Sequence, residues 1–279
     1  RLICKMKKIL FILILCINLL GDERIVTLSP SINEIVYALG EGQNVVANTK
    51  HCDFPEESKS VPKIGGYNDI SLEKILDVKP TIVIGQDYDE KLIQNLKSLN
   101  IKVLSYKTNT IENIKNTILE LGILFKKEEK SKEMISRIDD SLNSLKSIVE
   151  NKKILIVISP KDSLSNQIYV TGNFLYFEDI IKASGNKNAY NSTNPAQPVV
   201  NTEKIINMNP DIIVLLAPFY DGKTAELNQL KELWKTLPIN ASKQNNIYAV
   251  DKLYAGIPSQ RVEFFINDFR KILEDVRNK

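Results

Sequence analysis

The chain has 279 residues, 43% of them hydrophobic and 25% charged, a balance that excludes a disordered chain and suits one large domain or two lobes of about 120 residues each. Lys and Arg total 37 against 34 Asp and Glu; residues 1–21 hold Arg1, Lys5, Lys7 and Lys8 and no acid, so 33 basic residues face 34 acidic ones in the remainder, a net of −1. Nothing in that balance implies a basic face for nucleic acid.

Taken in chain order, the first segment reads as a leader. Met6-Lys7-Lys8 is a short basic start, residues 9–20 are almost wholly apolar, and the small Gly21 follows. That order is a secretory signal, and its apolar run is shorter than the roughly 20 residues a membrane-spanning helix needs. Residues 1–5 precede the natural start at Met6 and read as an upstream over-extension of the frame. A signal peptide over 1–21 implies export to the periplasm. Cys16 stands behind Leu15, which is too bulky for a good lipoprotein signal and argues against a lipid anchor. Cys4 and Cys16 leave with the leader, and Cys52 alone forms no internal disulfide.

Strand-like and helix-like runs then alternate. Residues 24–29 read as a strand, 32–39 as a helix stopped by Gly40, and 45–47 as a second strand before a polar loop at 48–69. Ser71 caps a helix that ends before Pro80, followed by a buried strand at 81–84, a helix at 90–99, a strand at 102–106 and a helix at 111–125. The segment 126–151 has neither Gly nor Pro, and its apolar Ile135, Ile138, Leu142, Leu145 and Val149 step by three and four. It is expected to be one amphipathic helix of about 25 residues, about 37 Å long. The alternation resumes with strands at 153–159 and 168–171, a helix at 174–183, a polar loop at 188–198, a helix capped by Asn201, a strand at 211–216, a helix at 227–237, a strand at 246–250 and a closing helix at 260–277.

The most informative feature is a repeat. Ser71-Leu-Glu-Lys-Ile-Leu-Asp-Val-Lys-Pro-Thr-Ile-Val-Ile84 aligns without gaps on Asn201-Thr-Glu-Lys-Ile-Ile-Asn-Met-Asn-Pro-Asp-Ile-Ile-Val214, each copy a capped helix, a proline stop and a buried strand. The chain is therefore expected to be an α/β protein of two similar lobes with mainly parallel sheets, at 22–125 and 152–279. The long helix at 126–151 joins them, and the ligand cleft lies between them.

His51 is the single histidine, and no His-Glu-x-x-His pair, Gly-x-Ser-x-Gly elbow or phosphate loop occurs. Ligands of parallel sheets bind beyond the carboxyl ends of the strands, so the candidate contacts lie on those loops. They are His51 and Tyr67, Gln86 and Tyr88, Gln197, Phe219 and Tyr220, Tyr254, and Arg261 at the opening of the last helix. Aromatic rings with a few polar tips suit a flat, partly apolar ligand. Glu73 and Glu203 occupy the same repeat position, one per lobe. Each is favoured by its helix dipole, and the pair could also dock on a symmetric basic partner.

The run Arg24-Ile-Val-Thr-Leu-Ser-Pro-Ser31, Asp53-Phe-Pro55, Gly65-Gly-Tyr67, Ser71-Leu-Glu-Lys-Ile75, Val170-Thr-Gly172 and Asn209-Pro-Asp-Ile-Ile-Val214 resembles the cobalamin- and iron-chelate-binding proteins of bacterial ABC importers. The resemblance spans about residues 24–279 and implies two lobes held by a rigid backbone helix. It also implies a non-catalytic, monomeric protein without a cofactor of its own, partnered by a permease dimer and its ATPase. By similarity Glu73 and Glu203 match the glutamates that pair with permease arginines. His51 and Tyr67 fall where cobalamin-binding members place aromatic rings, and Gln86 and Gln197 stand where those members carry tryptophans. The implied ligand is a metal-centred chelate of Co or Fe: a corrinoid, haem or an iron–siderophore complex. An anionic chelate would meet Arg261, with Lys50 or Lys252 in support, and His51 is a candidate axial ligand to the metal. Two alternatives are free Ni or Zn binding and an exported hydrolase with His51 as its base.

Overall fold

The computed structural model describes residues 23–67, 69–86, 90–164 and 167–279. The expected signal peptide at 1–21 and the candidate contact Tyr88 lie outside the described residues. The first lobe runs β1 (Ile25–Thr27), α1 (Pro30–Leu39), β2 (Val45–Ala47), α2 (Leu72–Asp77), β3 (Ile82–Gln86), α3 (Glu90–Ser98), β4 (Lys102–Tyr106) and α4 (Ile111–Leu124). Helix α5 (Glu128–Asn143) follows. The second lobe runs β5 (Lys153–Ile158), β6 (Ile168–Val170), α6 (Tyr176–Ala183), β7 (Lys187–Asn188), β8 (Val199–Val200), α7 (Thr202–Met208), β9 (Ile212–Leu216), α8 (Thr224–Lys235), α9 (Asn240–Lys243), β10 (Ile247–Val250) and α10 (Val262–Arg277).

The first sheet has four parallel strands in the order β2-β1-β3-β4. The second has the order β10-β9-β5-β6-β8 with β7 also on β5; β5, β9 and β10 are parallel and β6 is antiparallel to β5 and β8. Helix starts follow their caps. Ser29 accepts from Ile32 N ahead of Pro30, and Gly40, at φ 96°, ends α1 in a left-handed turn that other residues adopt at a cost.

Period-two alternation sorts the strand side chains into separate cores. In the first sheet Ile25, Ile82 and Ile84 face one way, whereas Val26, Leu28 and Val83 face the other. In the second sheet Ile154, Ile156, Ile212, Val214 and Leu216 face one way, and Leu155, Val157, Ile213 and Leu215 the other. The inner faces of both sheets share a single apolar cluster, completed by Ile35 of α1, Ile118 of α4, Ile138 of α5, Ile180 of α6 and Phe265 of α10. Helices packed between two sheets thus make one core for both lobes, and each sheet keeps a smaller core on its outer face.

The segment 126–151 is not one continuous helix. Helix α5 covers 16 residues, about 24 Å at 1.5 Å per residue, and the backbone turns from residue 144 on, with Ser147 and Asn151 at φ 59°. The apolar stepping runs on, and Leu145 is still fully buried. The polar residues decide the outcome: Ser144 Oγ donates to Ser141 O at 2.7 Å, the local bonding by which Ser and Asn compete with helix. Asn186 Nδ2 then ties Val149 O to the second lobe at 2.8 Å.

The repeat extends further in three dimensions than in sequence. Arg24 Nη2 donates to Val78 O at 2.7 Å, and Lys153 Nζ donates to Met208 O at 2.8 Å. Val78 and Met208 are equivalent repeat positions at the ends of α2 and α7. The next residues, Lys79 and Asn209, are both left-handed, at φ 45° and 44°. Each lobe thus caps its repeated helix with a cation from the start of its own first strand.

Polar links lock the lobes together around the apolar cluster. Glu34 of α1, with 1% of its side chain exposed, receives Arg261 Nε at 2.9 Å, Arg261 Nη2 and Ser259 Oγ. Asp179 Oδ2 of α6 accepts from Ile111 N at 2.8 Å, capping α4 across the interface, and burial raises its carboxyl above the ordinary range. Arg261 was expected among the ligand contacts. The structure instead commits its guanidinium to Glu34 and lays it over the Phe54 ring, 3.7 Å from the centroid. The reason is that a carboxylate buried as deeply as Glu34 requires a charge partner.

Two measurements check this packing. Ile138→Ala should cost about 2–5 kcal/mol in a single urea transition that Trp234 fluorescence and far-UV circular dichroism report at the same midpoint; separated midpoints would mean lobes that unfold independently. Glu34→Ala should cost about 3–5 kcal/mol, and the paired change Glu34→Leu with Arg261→Met considerably less, because the cost lies in the charge left behind.

Candidate ligand cleft between the lobes

The strands end on a cavity of about 520 Å³ between the lobes. Gln86 at the end of β3 and Lys107–Asn109 after β4 form the wall on one side. Ile158 at the end of β5, Leu216 at the end of β9, Phe177 in the first turn of α6 and Gln197 form the other. This is where ligands of open parallel sheets bind, and the volume is that of a small-molecule site. The wall is mostly apolar with amide tips. Gln86 Nε2 donates to Thr108 Oγ1 within the first lobe, and Gln197 Nε2 donates to Val170 O at 2.7 Å within the second. Tyr176, buried behind the wall, donates to Ala255 O at 2.8 Å, and burial holds its phenol well above the ordinary range.

The loop after β2 is built on a buried polar hub. Asn33 of α1 accepts from Thr27 Oγ1 at 3.0 Å and donates to Ser58 Oγ at 2.8 Å. Asn48 donates to the same Ser58 Oγ at 3.0 Å and accepts from Lys63 Nζ at 2.7 Å. Burial lowers the Lys63 ammonium and raises the Cys52 thiol. Because this hub fixes the loop, its tip can present an aromatic pair: His51 stacks on Tyr67 with ring centroids 4.9 Å apart and planes 17° apart. Gly65 sits at φ 127°, where a side chain would run into the Asp69 carbonyl, and Asp69 Oδ1 accepts from Gly66 N at 2.7 Å. The pair is exposed, Tyr67 at 53%, and stands apart from the lining of the 520 Å³ cavity.

The other expected contacts divide. Phe219, on the short turn Pro218–Tyr220 after β9, is 70% exposed. Its neighbour Tyr220 packs against the outer core of the second lobe. Tyr254 was expected at the cleft, but its hydroxyl donates to Asp268 of α10 and its ring stands edge-on to Phe264 at 5.5 Å. Together with Asp251 and Lys252 it lines a separate recess, and burial followed by Asp268 raises its phenol. The lysines suggested for an anionic ligand are also engaged, Lys50 with Asp69 at 2.9 Å and Lys252 with Asp221. Among the described residues no group of three or more His, Cys, Asp and Glu is placed to hold a metal ion, so His51 stands as one nitrogen beside a ring.

Glu73 and Glu203 occupy the first turns of α2 and α7, behind caps in which Ser71 accepts from Lys74 N at 3.3 Å and Asn201 from Lys204 N at 2.8 Å. Both are exposed. Sequence reasoning missed Glu34, Lys107, Thr108 and Asp179. The signal for Glu34 was the one charged residue in the helix Pro30–Leu39, and a buried acid rarely stands without a partner. Lys107 and Thr108 were findable from their place just past the end of β4.

Comparison with known proteins gives the family. A sequence model of the family described as "periplasmic binding protein" matches residues 25–254. The uncharacterized ABC transporter substrate-binding lipoprotein YvrC of Bacillus subtilis (strain 168) is 30% identical over 241 residues, 82% of this chain and 73% of that protein. The high-affinity heme uptake system protein IsdE of Staphylococcus aureus (strain bovine RF122 / ET3-1) is 28% identical over 220 residues, 75% of this chain and 73% of that protein. Among solved structures, the periplasmic vitamin B12-binding protein BtuF of Vibrio cholerae superposes with a TM-score of 0.79 at 18% identity, covering 92% of this chain and 98% of that one, a likeness of fold. Two sheets about one helical layer, a cleft at their strand ends and a family match from β1 to the turn before α10 lead to one assignment: this chain belongs to the periplasmic binding protein family.

Proposed function

We propose that this protein is the exported substrate-binding component of an ABC importer, capturing a metal-centred chelate in the interlobe cleft and delivering it to a permease dimer with its ATPase. The observation that carries this reading is the cleft itself. Both lobes contribute strand ends to one cavity, and its wall is apolar with an amide from each side, Gln86 and Gln197. Such a wall binds and orients rather than reacts. His51 is stacked on Tyr67 and makes no hydrogen bond to an acid among the described residues, so it lacks the orienting partner a general base uses. Its exposed imidazole suits an axial bond to a metal that arrives already chelated. The haem-uptake relative and the transporter-type relative support the same class of cargo and role.

Phe219 and the His51–Tyr67 pair are the aromatic contacts of this reading, and Gln86 and Gln197 the polar ones. Tyr88 stands two positions after Gln86 and joins the proposal on its position in the sequence. Glu73 and Glu203 are the permease-docking acids. They are exposed, they sit at equivalent places, and each lobe holds its docking helix in the same way, through Arg24 and Lys153. Because one chain supplies both acids, a monomer suffices to meet a two-fold partner.

Titration of the purified protein with haemin, cyanocobalamin and ferric siderophores, followed by chelate absorbance, should give a saturable one-to-one shift with at least one of them. Flat spectra with every chelate would overturn the reading. For docking, Glu73→Arg combined with Glu203→Arg should leave chelate affinity unchanged and stop uptake by cells; uptake at the normal rate would reduce the two acids to helix-end charges.

A further inference from the structure

The charges around the cleft argue against an anionic cargo. Arg261 is bound to Glu34, Lys50 to Asp69 and Lys252 to Asp221. Among the described lining residues of the 520 Å³ cavity, Lys107 is the one charged side chain and no carboxylate appears. A carboxylate or catecholate complex would shed several waters of hydration against a single ammonium, and burying charge without enough partners is costly.

The amides argue for what the cleft accepts. Val170 O only accepts, so the Gln197 side chain must bond to it through Nε2. Gln86 uses one Nε2 hydrogen on Thr108 Oγ1 in the same manner. Neither amide makes another hydrogen bond among the described residues, so each retains one N–H and its Oε1 carbonyl at the cavity wall. That donor and acceptor side by side are the complement of another carboxamide. A carboxylate has no N–H to offer Oε1, which would then face it lone pair to lone pair, with its acceptor left unpaired once the bound chelate covers it.

Resting on the chelate-capture reading, we infer that this cleft selects an electrically neutral chelate with peripheral carboxamides over one bearing carboxylates or catecholates, and that Gln86 and Gln197 are the residues that set this preference. The shared chemistry is the uncharged amide, an N–H donor together with a C=O acceptor, which a corrinoid amide and a cyclic hydroxamate peptide both carry.

The test rests first on chelates matched except for this group. Cobinamide and cobyrinic acid share one corrin ring and differ in amide against acid; ferrichrome and haemin add an uncharged amide chelate and a carboxylate chelate of iron on different frameworks. Cobinamide or ferrichrome should bind the intact protein about 10-fold or more tightly than its acidic counterpart, and which of the two binds separates the corrinoid from the siderophore source. Gln86→Leu with Gln197→Leu should weaken the amide chelate and bring that ratio towards one, with the melting temperature recorded to confirm the fold. Cobyrinic acid or haemin binding as tightly as its amide counterpart would overturn the inference and leave chelate capture standing. A flat response to all four would remove chelate capture and this inference with it.

Discussion

Everything in this molecule depends on one apolar cluster held between two sheets. The inner faces of β1 and β3 and of β5 and β9 reach the same helical layer, so neither lobe has a complete core alone. Apolar burial is non-directional and sets no angle between lobes by itself. The angle comes from polar links at the cluster's edge: Arg261 and Ser259 on Glu34, and Asp179 on the start of α4. Each link buries a group that would be expensive to strand, so separation of the lobes would expose apolar surface and unpair a buried charge together.

That constraint also explains how the cleft is equipped. Arg261, Lys50 and Lys252 are engaged with carboxylates, and the cavity wall is left with amides, apolar side chains and one lysine, Lys107. The aromatic pair His51–Tyr67 owes its position to a different device, the Asn33–Asn48–Ser58–Lys63 hub beneath its loop. The hub holds the loop through side chains and backbone carbonyls because residues 48–71 contain little regular structure of their own. The core fixes the two walls of the cavity, and the hub fixes the aromatic pair that stands apart from them.

Much of the fold was legible in the sequence because it rests on local rules. Alternating Ile and Val marked the strands, Gly40 and Pro80 marked the helix stops, and the gapless repeat between residues 71–84 and 201–214 announced two lobes. The strand-end rule brought Gln86 to the cavity, and Gln197 reaches the same cavity from the polar loop just before β8. What stayed hidden was long-range or competitive. Glu34 and Arg261 meet across 227 positions, and no local pattern marks such a pair. Tyr254 reads as a loop aromatic until Asp268 of α10 is seen to hold its hydroxyl. Apolar stepping by three and four continued past residue 143, but Ser144 Oγ bonded back to Ser141 O where α5 ends. Periodicity reports burial, and Leu145 is indeed buried; it does not report that the backbone is still helical.

The central claim is that cargo is held simultaneously by strand ends of both lobes. Hydrogen–deuterium exchange of the intact protein, free and with cyanocobalamin or with haemin, tests it most directly. The account predicts that the chelate which binds slows exchange together around residues 84–86 and 107–109 of the first lobe and 175–177 and 196–197 of the second. Protection confined to one lobe, or found only on outer faces away from the strand ends, would contradict it.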